Sequence, residues 1–456
     1  MGIPFYFASL MRKHKNILRK LVQGDNCTNL CLDSNSIIYD IVRTIQSGVD
    51  DFEEQLIKAV CAKLDEYLDL VKPKRVYIAF DGPPPMAKMK QQRERRYKGK
   101  TDGPIGGWDT VQITPGTTFM LKLDEALKMH FKDHDERYAF FKLSTSAEPG
   151  EGEHKLFEWL RTDTPDGSTF IYGLDSDLII LALHHLKYSQ DIFMMREFKE
   201  EMKLLDISML ATQIEQVIGA GKLFDYIFMV FFLGNDFLPH FPALNLRTRG
   251  LDTLLATYGN TISKGERLYD GEEITWNNVQ RFVHALALKE EREIVREYND
   301  RSKVAVENEV ENTPRIERQL EHYINPCENG WEYRYYMTLL KIDPTKLSVQ
   351  QVCHKFYEML AWNTIYYTKG CPNWDIYYPY MYPPLLKDLE KHTPTSNPVW
   401  FTVSCPKTTT ELLAFVLPAE KHHFSPTPLV TKPPVLVENY WAFSTFLWES
   451  HLLFLP

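Results

Sequence analysis

The stretch Ile171-Tyr-Gly-Leu-Asp-Ser-Asp177 decides the fold, because a short apolar run ends there on two carboxylates that are two residues apart. Open α/β folds gather their ligands at the carboxyl edge of a parallel sheet, and an acid that ends a buried strand lies at that edge. The first half of the chain repeats this pattern where other apolar runs give way to a turn or a helix. It thereby supplies seven carboxylates in five clusters: Asp33, Asp81, Glu151 with Glu153, Asp175 with Asp177, and Asp236.

This concentration of acids predicts a site for divalent metal ions. Neighbouring carboxylates raise one another's pKa strongly, so they stay ionised side by side only when cations neutralise them. A ligand set made only of Asp and Glu oxygens suits Mg²⁺ or Mn²⁺ better than zinc or copper. Two such ions about 4 Å apart can activate a water and stabilise the leaving oxygen of a phosphodiester. Helix capping is the alternative interpretation for any single acid, but five clusters together favour the metal site.

Strand and helix signals alternate from residue 1 to about 255, which predicts an α/β fold with a parallel sheet. Between the first two acidic strand ends, apolar residues recur every four positions from Phe52 to Leu68, as on the buried face of a helix. A chain of 456 residues exceeds the usual limit of about 250–300 residues for one core. We therefore predict three parts. They are an α/β region at 1–255 that carries the acids, a helical, charged connecting segment at 256–330, and a second, mostly helical, aromatic-rich lobe at 331–456.

Composition excludes the membrane and disordered classes. With 44% hydrophobic and 25% charged residues, the chain reads as soluble and globular. Its longest strongly apolar run, Tyr226 to Leu233, is far shorter than the roughly 20 residues that span a bilayer. The seven cysteines contain no CxxC pair, which indicates reduced thiols in an intracellular protein. The dense charges from Lys289 to about Glu321 predict one or two solvated helices between the lobes.

One segment of the chain is strongly basic although the formal net charge of the whole chain is −9. From Lys88 to Lys100 there are seven cationic residues and a single acid, and Pro83-Pro-Pro85 can open a helix just before them. On such a helix four side chains share one face: Lys88, Gln92, Arg95 and Arg96. This face fits a terminal phosphate, since arginine offers bidentate hydrogen bonds. A solvated helix face is the alternative, but the glutamine on the same stripe and Asp81 just upstream favour the pocket.

Several strings in the first part resemble the Xrn family of 5′→3′ exoribonucleases. They are Met1-Gly-Ile-Pro-Phe5, Gln91-Gln-Arg-Glu-Arg-Arg96, Pro149-Gly-Glu-Gly-Glu-His-Lys155, Gly173-Leu-Asp-Ser-Asp-Leu178, Arg196-Glu197 and Phe231-Phe-Leu-Gly-Asn-Asp-Phe-Leu-Pro239. The last part is similar as well, at Gly370-Cys-Pro-Asn-Trp374, Tyr377-Tyr-Pro-Tyr-Met-Tyr382 and Leu412-Leu-Ala-Phe-Val-Leu-Pro418. The resemblance covers both catalytic regions of the family, and so nearly the whole chain.

The resemblance implies a fold and an activity. The first part would be a nuclease domain of the flap-nuclease or PIN-like type, and the second lobe would close over its active site. The protein would be a processive Mg²⁺-dependent exoribonuclease that uses two ions, with Mn²⁺ as a substitute. It would hydrolyse single-stranded RNA with a 5′-monophosphate, such as decapped or cleaved transcripts, to mononucleotides. It would be a compact member of the family, without the C-terminal extension domains of the larger relatives.

The resemblance also implies roles for individual residues. The seven acids would be the catalytic metal ligands, and the basic face would bind the 5′-phosphate. Asn35 would contact the first nucleotide. The family stacks the leading bases between a histidine and a tryptophan; here Tyr39 stands at the histidine position, Trp374 is the expected partner, and Trp362 is the alternative. Aromatic stacking is worth about 1–3 kcal/mol per base whichever ring supplies it.

Two other functions stay open at this point. A structure-specific flap endonuclease or DNA exonuclease would share the metal site, but it would carry a Gly-rich helix–turn–helix where this chain has Phe237-Leu-Pro-His-Phe-Pro-Ala-Leu244. A non-catalytic RNA 5′-end-binding protein would be marked by lost acids, and none is lost. We further expect a cytoplasmic location, with the nucleus as the alternative, no membrane association and a monomer. The sequence predicts no protein partner.

Overall fold

The structure is a computed structural model and describes residues 3, 5–22, 24–45, 51–102, 108–189, 191–303, 319–398, 400–429, 435–436 and 454–455. Its centre is a seven-stranded sheet with strands β1 Leu18–Lys20, β2 Asn29–Asp33, β3 Arg75–Ala79, β4 Phe140–Ser144, β5 Thr169–Tyr172, β6 Ile192–Phe198 and β7 Glu201–Asp206. A separate pair contains β8 Val435–Leu436 and β9 Phe454–Leu455. The strand order in the main sheet is β1-β7-β6-β5-β2-β3-β4.

The five strands β6, β5, β2, β3 and β4 run parallel, whereas β7 is antiparallel to β6 and β1 is antiparallel to β7. Strand β2 lies between β5 and β3 and pairs with both. The carboxyl ends of these parallel strands therefore meet at one edge, where Asp33 is the last residue of β2. The predicted α/β fold with a largely parallel sheet is confirmed.

Sixteen helices surround or extend this sheet in the described residues. They are α1 Tyr6–Lys13, α2 Asn35–Thr44, α3 Phe52–Val71, α4 Met86–Asp102, α5 Thr118–His130, α6 Gly152–Asp163, α7 Asp177–His185, α8 Ile207–Ile218, α9 Leu223–Val230, α10 Gly250–Thr261, α11 Trp276–Ser302, α12 Gln319–Ile324, α13 Trp331–Tyr335, α14 Lys346–Thr368, α15 Leu386–Lys391 and α16 Thr409–Val416. The four-residue apolar spacing from Phe52 to Leu68 lies within α3, and all five of its apolar positions are buried. The basic segment forms α4, directly after the three prolines, as predicted.

The helices after residue 250 do not pack as a separate layer away from the sheet. Buried apolar residues of α14 belong to the same core as those of α6, α7 and α9, and α14 packs directly against α7. This contact brings the aromatic-rich part of the chain beside the elements that follow the acidic strand ends. The division at 255 and 330 stays a prediction.

The charged segment is less solvated than the sequence predicts. Helix α11 carries much of it, yet Glu290, Glu293 and Glu297 are buried. The Glu290 carboxylate accepts hydrogen bonds from the backbone N–H groups of Leu386, at 2.6 Å, and Lys387, at 3.0 Å. These donors open α15 and lack partners within that helix, so a carboxylate from another helix satisfies them. The expectation of a wholly exposed face was wrong for these glutamates, and residues 304–318 lie outside the described part.

Among the described residues, no single helix is both long enough and apolar enough to span a membrane. Only the bent pair Ile207–Ile218 and Leu223–Leu233 has the length and apolar composition when taken together. All seven cysteines are described, and each is a free thiol.

Candidate metal and phosphate site

Each predicted acid lies at or just beyond the carboxyl edge of the sheet. Asp33 ends β2, and Asp81 follows β3 by two residues. Asp175 and Asp177 occupy the turn after β5 and the first position of α7. Glu151 and Glu153 flank the first residue of α6, and Asp236 follows the 3₁₀ turn Phe231–Leu233. A helix N-terminus favours negative charge, so α6 and α7 each support one acidic pair.

The acids from β2, β3 and α6 meet around Gly152. Its backbone N–H donates to Asp81 Oδ1 at 2.7 Å. The other oxygen of Asp81 accepts from Asn35 Nδ2 at 2.8 Å, and Asn35 Oδ1 accepts in turn from the Asp81 backbone N–H at 3.1 Å. Asn35 therefore fixes the orientation of the Asp81 carboxylate. Its predicted contact with a nucleotide stays a prediction.

Position 152 admits no side chain without moving an acid. A Cβ atom there would lie 2.7 Å from Asp33 Oδ1 and 3.2 Å from the Ala79 carbonyl oxygen. Real Cβ atoms essentially never approach another heavy atom as closely as 2.7 Å, and the 3.2 Å distance to Ala79, in the packed end of β3, is also tighter than most real contacts. The small residue between Glu151 and Glu153 is therefore needed for the acids to converge.

The ammonium group of Lys88 lies between two of the acids. Its Nζ is 2.5 Å from Glu151 Oε2 and 2.8 Å from Asp236 Oδ2. Burial alone would lower the pKa of Lys88, but the charges of Asp236, Glu151 and Glu153 raise it well above its usual value. The lysine is therefore held as a cation, and a positive charge already fits between these carboxylates.

The remaining acids repel one another in a buried environment. Burial raises the pKa of Asp33 well above its usual value, and the charges of Asp81 and Asp175 add to the effect. Burial followed by the Asp236 charge raises the pKa of Asp177 from 3.8 to about 7. Burial raises the pKa of Glu153 as well, with Asp177 among the neighbouring acids that contribute. Each shift means that the ionised form needs more positive charge than Lys88 alone provides.

This donor set fits divalent metal ions. It consists of carboxylate oxygens, which Mg²⁺ and Mn²⁺ prefer, and it is buried, charged and compact. Ligand atoms of Glu151, Glu153 and His154 lie within 4.8 Å of one another, a separation that one ion could bridge. Asp236 behaves differently from Asp33, Glu153 and Asp177. Although burial would raise its pKa, Lys88 and then Arg95 lower it below the usual range.

The predicted basic face separates into two groups. Lys88 and Arg95 turn towards the acids, with Arg95 Nη2 at 3.6 Å from Asp236 Oδ2, and Gln92 on the same face is buried. Within the described residues, the buried Nε and Nη2 atoms of Arg95 and the Oε1 atom of Gln92 have no hydrogen-bond partner. Buried donors without acceptors are costly, and an incoming phosphate would satisfy those of Arg95.

Arg96 points instead towards the loop before α5. Its Nε donates to Thr114 Oγ1 at 2.8 Å, and its Nη2 donates to the Ile113 carbonyl at 2.9 Å. Its Nη1 donates to the Tyr39 hydroxyl at 3.4 Å. Arg96 is therefore largely satisfied by the protein and links the pocket wall to Tyr39. The side chains of Lys98 and Lys100 lie outside the described part.

The structure excludes one of the two tryptophans. Trp362 is completely buried, and its Nε1 donates to the Asn373 carbonyl at 2.7 Å. It belongs to the core, so the alternative that it stacks on a base was wrong. Trp374 is partly exposed, and its carbonyl accepts from the backbone N–H of Met86 at 2.9 Å, which ties it to the start of α4. Tyr39 is also partly exposed, and its stacking role together with Trp374 stays a prediction.

Sequence reasoning missed two aromatic partners of the acids. The Tyr366 hydroxyl of α14 donates to Glu151 Oε1 at 2.8 Å. Its ring stacks on that of His154, with centroids 3.7 Å apart and planes at 19°. Both ring nitrogens of His154 lack hydrogen-bond partners among the described residues. His154 lay inside a motif that the sequence singled out, but no local pattern relates Tyr366 to the acids.

The N-terminal motif also reaches the site. The backbone N–H of Ile3 donates to Asp177 Oδ1 at 3.1 Å. Two residues further, the exposed ring of Phe5 lies under the Arg247 guanidinium at 3.8 Å. Residues 1, 2 and 4 of this motif lie outside the described part.

Curated relatives of this chain include proteins from Gallus gallus and Saccharomyces cerevisiae that are both named 5'-3' exoribonucleases. The chain is 24% identical to "5'-3' exoribonuclease 2" of Gallus gallus over 86% of this chain and 61% of that protein. It is 24% identical to "5'-3' exoribonuclease 1" of Saccharomyces cerevisiae over 93% of this chain and 40% of that protein. The chain thus spans less than two thirds of the length of either relative.

Among solved structures, the chain is similar to the catalytic core of Rad2 in complex with a DNA substrate. The identity is 14%, the TM-score is 0.37, and the match covers 72% of this chain and 81% of that one. Two protein-family sequence models match this chain. The profile of the XRN 5'-3' exonuclease N-terminus matches residues 1–105 and 104–198, and that of the Xrn1 helical domain matches residues 220–324 and 317–431. Together they cover most of the chain, which therefore belongs to the XRN 5′–3′ exonuclease family.

Proposed function

We propose that this protein is a processive, magnesium-dependent 5′→3′ exoribonuclease. Its substrate would be single-stranded RNA with a 5′-monophosphate, and its products would be mononucleotides. The observation that carries the proposal is the position of Lys88 on α4. Its ammonium group bridges Glu151 and Asp236, while the same helix face presents Arg95 with unsatisfied donors. The proposed cation site and the proposed anion pocket would therefore adjoin, as cleavage next to a terminal phosphate requires.

The basic face would recognise the end of the chain. Arg95 would donate to the phosphate oxygens with two nitrogens of one planar group, a geometry suited to phosphate. Because Arg95 Nη2 is only 3.6 Å from Asp236 Oδ2, an anion bound there would lie next to the acids. Lys88 and Gln92 would complete the pocket. A cap or a triphosphate would add bulk that such a pocket does not accommodate.

The acids would hold the metal, and the surrounding residues would hold the acids. Two magnesium ions, or manganese in their place, would supply an activated water and stabilise the leaving oxygen. Asn35 and the Gly152 N–H fix Asp81, each through one carboxylate oxygen. Tyr39 and Trp374 would stack on the leading bases and keep the strand in line. Burial of the acids keeps competing water away from their charges.

The proposal is tested with matched RNAs that carry a 5′-monophosphate, a 5′-hydroxyl or a 5′-triphosphate. We expect release of mononucleotides from the first substrate only, dependent on Mg²⁺ or Mn²⁺ and abolished by the double substitution Asp175→Ala with Asp177→Ala. Equal rates on all three RNAs would overturn the pocket assignment. Internal cuts in branched DNA, without mononucleotide release from RNA, would favour a flap-type endonuclease instead. Binding of 5′-phosphorylated RNA without turnover would favour an end-binding protein.

We further propose that the protein acts as a monomer in the cytoplasm. The support for the cytoplasm is sequence-based, namely a set of cysteines without CxxC pairs and the absence of a long basic tract. The monomer is proposed because the sequence predicts no protein partner. Sedimentation of the purified chain and imaging of a tagged chain test the two statements separately.

A further inference from the structure

A tyrosine of helix α14 contacts one of the acids of the predicted metal site. Tyr366 lies near the end of α14, 215 residues along the chain from Glu151, and its hydroxyl donates to Glu151 Oε1 at 2.8 Å. The side chain is only 2% exposed. Because Glu151 is also buried, water cannot replace this hydrogen bond without rearrangement of the core.

The tyrosine ring is held from several sides. It stacks on His154 at a centroid distance of 3.7 Å and on Trp362 at 4.6 Å. The edge of Phe237, next to Asp236, completes the enclosure at 5.5 Å. A ring packed in this way has little freedom, so its hydroxyl presents a fixed donor to the carboxylate.

The two oxygens of Glu151 have partners of different kinds. Oε2 faces the ammonium group of Lys88 at 2.5 Å, and Oε1 accepts from the neutral Tyr366 hydroxyl. A cation near the carboxylate repels an incoming metal ion, whereas a hydroxyl does not. Lys88 also belongs to the proposed phosphate pocket, so its contact with Glu151 is one that substrate would compete for. Tyr366 provides the contact that orients Glu151 without adding charge.

We propose that Tyr366 is a positioning residue for the metal centre, which holds the Glu151 carboxylate in the orientation that binds the ion. The inference rests on the proposed function in taking Glu151 as a metal ligand. It adds that the helical region contributes directly to metal affinity. Partners that orient ligating carboxylates typically change metal affinity or activity by 10- to 100-fold when removed.

The next residue along the chain provides a matched control. Tyr367 is also buried, at 1% exposure, and its ring packs against Phe231 at 5.1 Å. Its hydroxyl, however, has no hydrogen-bond partner among the described residues. Replacement of either tyrosine by phenylalanine removes one buried oxygen from the same turn of α14, but only one of them removes a bond to an acid.

The experiment measures binding of Mn²⁺ alone to the full chain by titration calorimetry, without RNA. We expect Tyr366→Phe to weaken binding about tenfold or more, and Tyr367→Phe to leave it within about twofold of the parent protein. In exonuclease assays, Tyr366→Phe should lower kcat at limiting Mg²⁺, and excess Mg²⁺ should restore it. A purely structural defect from the loss of a buried oxygen would appear in Tyr367→Phe as well.

A double-mutant cycle with Glu151 separates orientation of the carboxylate from any other effect of Tyr366→Phe. In a Glu151→Ala background the tyrosine has no carboxylate to orient, so adding Tyr366→Phe should not weaken Mn²⁺ binding further. Unchanged binding in Tyr366→Phe, equal losses in both tyrosine variants, or equal losses with and without Glu151 would overturn the inference. If the parent protein itself takes up no Mn²⁺, the metal site of the proposed function fails, and this inference fails with it.

Discussion

Replacing Lys88 with methionine should destabilise the protein in a way that divalent metal reverses. Methionine retains an unbranched apolar side chain and removes the ammonium group that lies 2.5 Å from Glu151 Oε2 and 2.8 Å from Asp236 Oδ2. At such separations the attraction is about 6 kcal/mol per pair for an effective dielectric constant of about 20, and desolvation of the ammonium cancels part of it. Removal of one partner from a buried ion pair typically costs about 3–5 kcal/mol.

The measurement is the free energy of unfolding in urea, with a chelator and again with saturating Mg²⁺. We expect Lys88→Met to lose about 3–5 kcal/mol in the chelator and to recover much of this loss in Mg²⁺, because the metal neutralises the same carboxylates. Lys90→Met is the control, since Lys90 contacts the carbonyls of Tyr378 and Tyr380 in the described part of the chain and bridges no pair of acids there. The reasoning is refuted if Lys88→Met is as stable as the parent in the chelator, or if Mg²⁺ restores both variants equally.

Three further predictions concern other parts of the site and its support. Gly152→Ala should displace the Asp33 carboxylate, because Asp33 Oδ1 would lie 2.7 Å from the new Cβ, and should lower exonuclease kcat at least tenfold. Gly259→Ala is the control and should leave kcat unchanged, since the space around its Cβ is open. A normal kcat in Gly152→Ala would contradict the packing argument. Arg95→Ala should lower kcat/KM for 5′-phosphorylated RNA by about 10- to 100-fold, the equivalent of a charged hydrogen bond, and an unchanged kcat/KM would contradict the assignment of Arg95 to the phosphate pocket. Burial raises the pKa of Glu290 from 4.5 to about 7, so folding favours its protonated form and stability should fall by up to about 3 kcal/mol as the pH rises between these values. Glu290→Gln should remove this dependence, and a difference curve between the two proteins that is flat from pH 4 to about 8 would disprove the shift.

The sequence by itself determined the features that depend on short segments. An apolar run that ends on an acid is local, and it placed Asp33, Asp81, Asp175 and Asp177 at or after the ends of strands of the parallel sheet. Glu151 and Glu153 instead lie at the start of α6, and the run before Asp236 is helical and not a strand. The repeat of four residues in α3 and the stripe on α4 are likewise helical spacings that need no knowledge of the rest of the fold. For these features, local periodicity and strand direction were sufficient.

Only the tertiary structure decided which side chains meet across the chain and which are buried. Tyr366 bonds to an acid 215 residues away, and nothing in the sequence near either residue announces the contact. Trp362 and Trp374 are both tryptophans in the same aromatic-rich part of the sequence, yet packing buries the first and leaves the second partly exposed. Glu290 lies in a run of charges that reads as solvated, but the start of α15 binds it in the interior. Burial and long-range contacts arise from the packing of whole elements, which short segments do not encode.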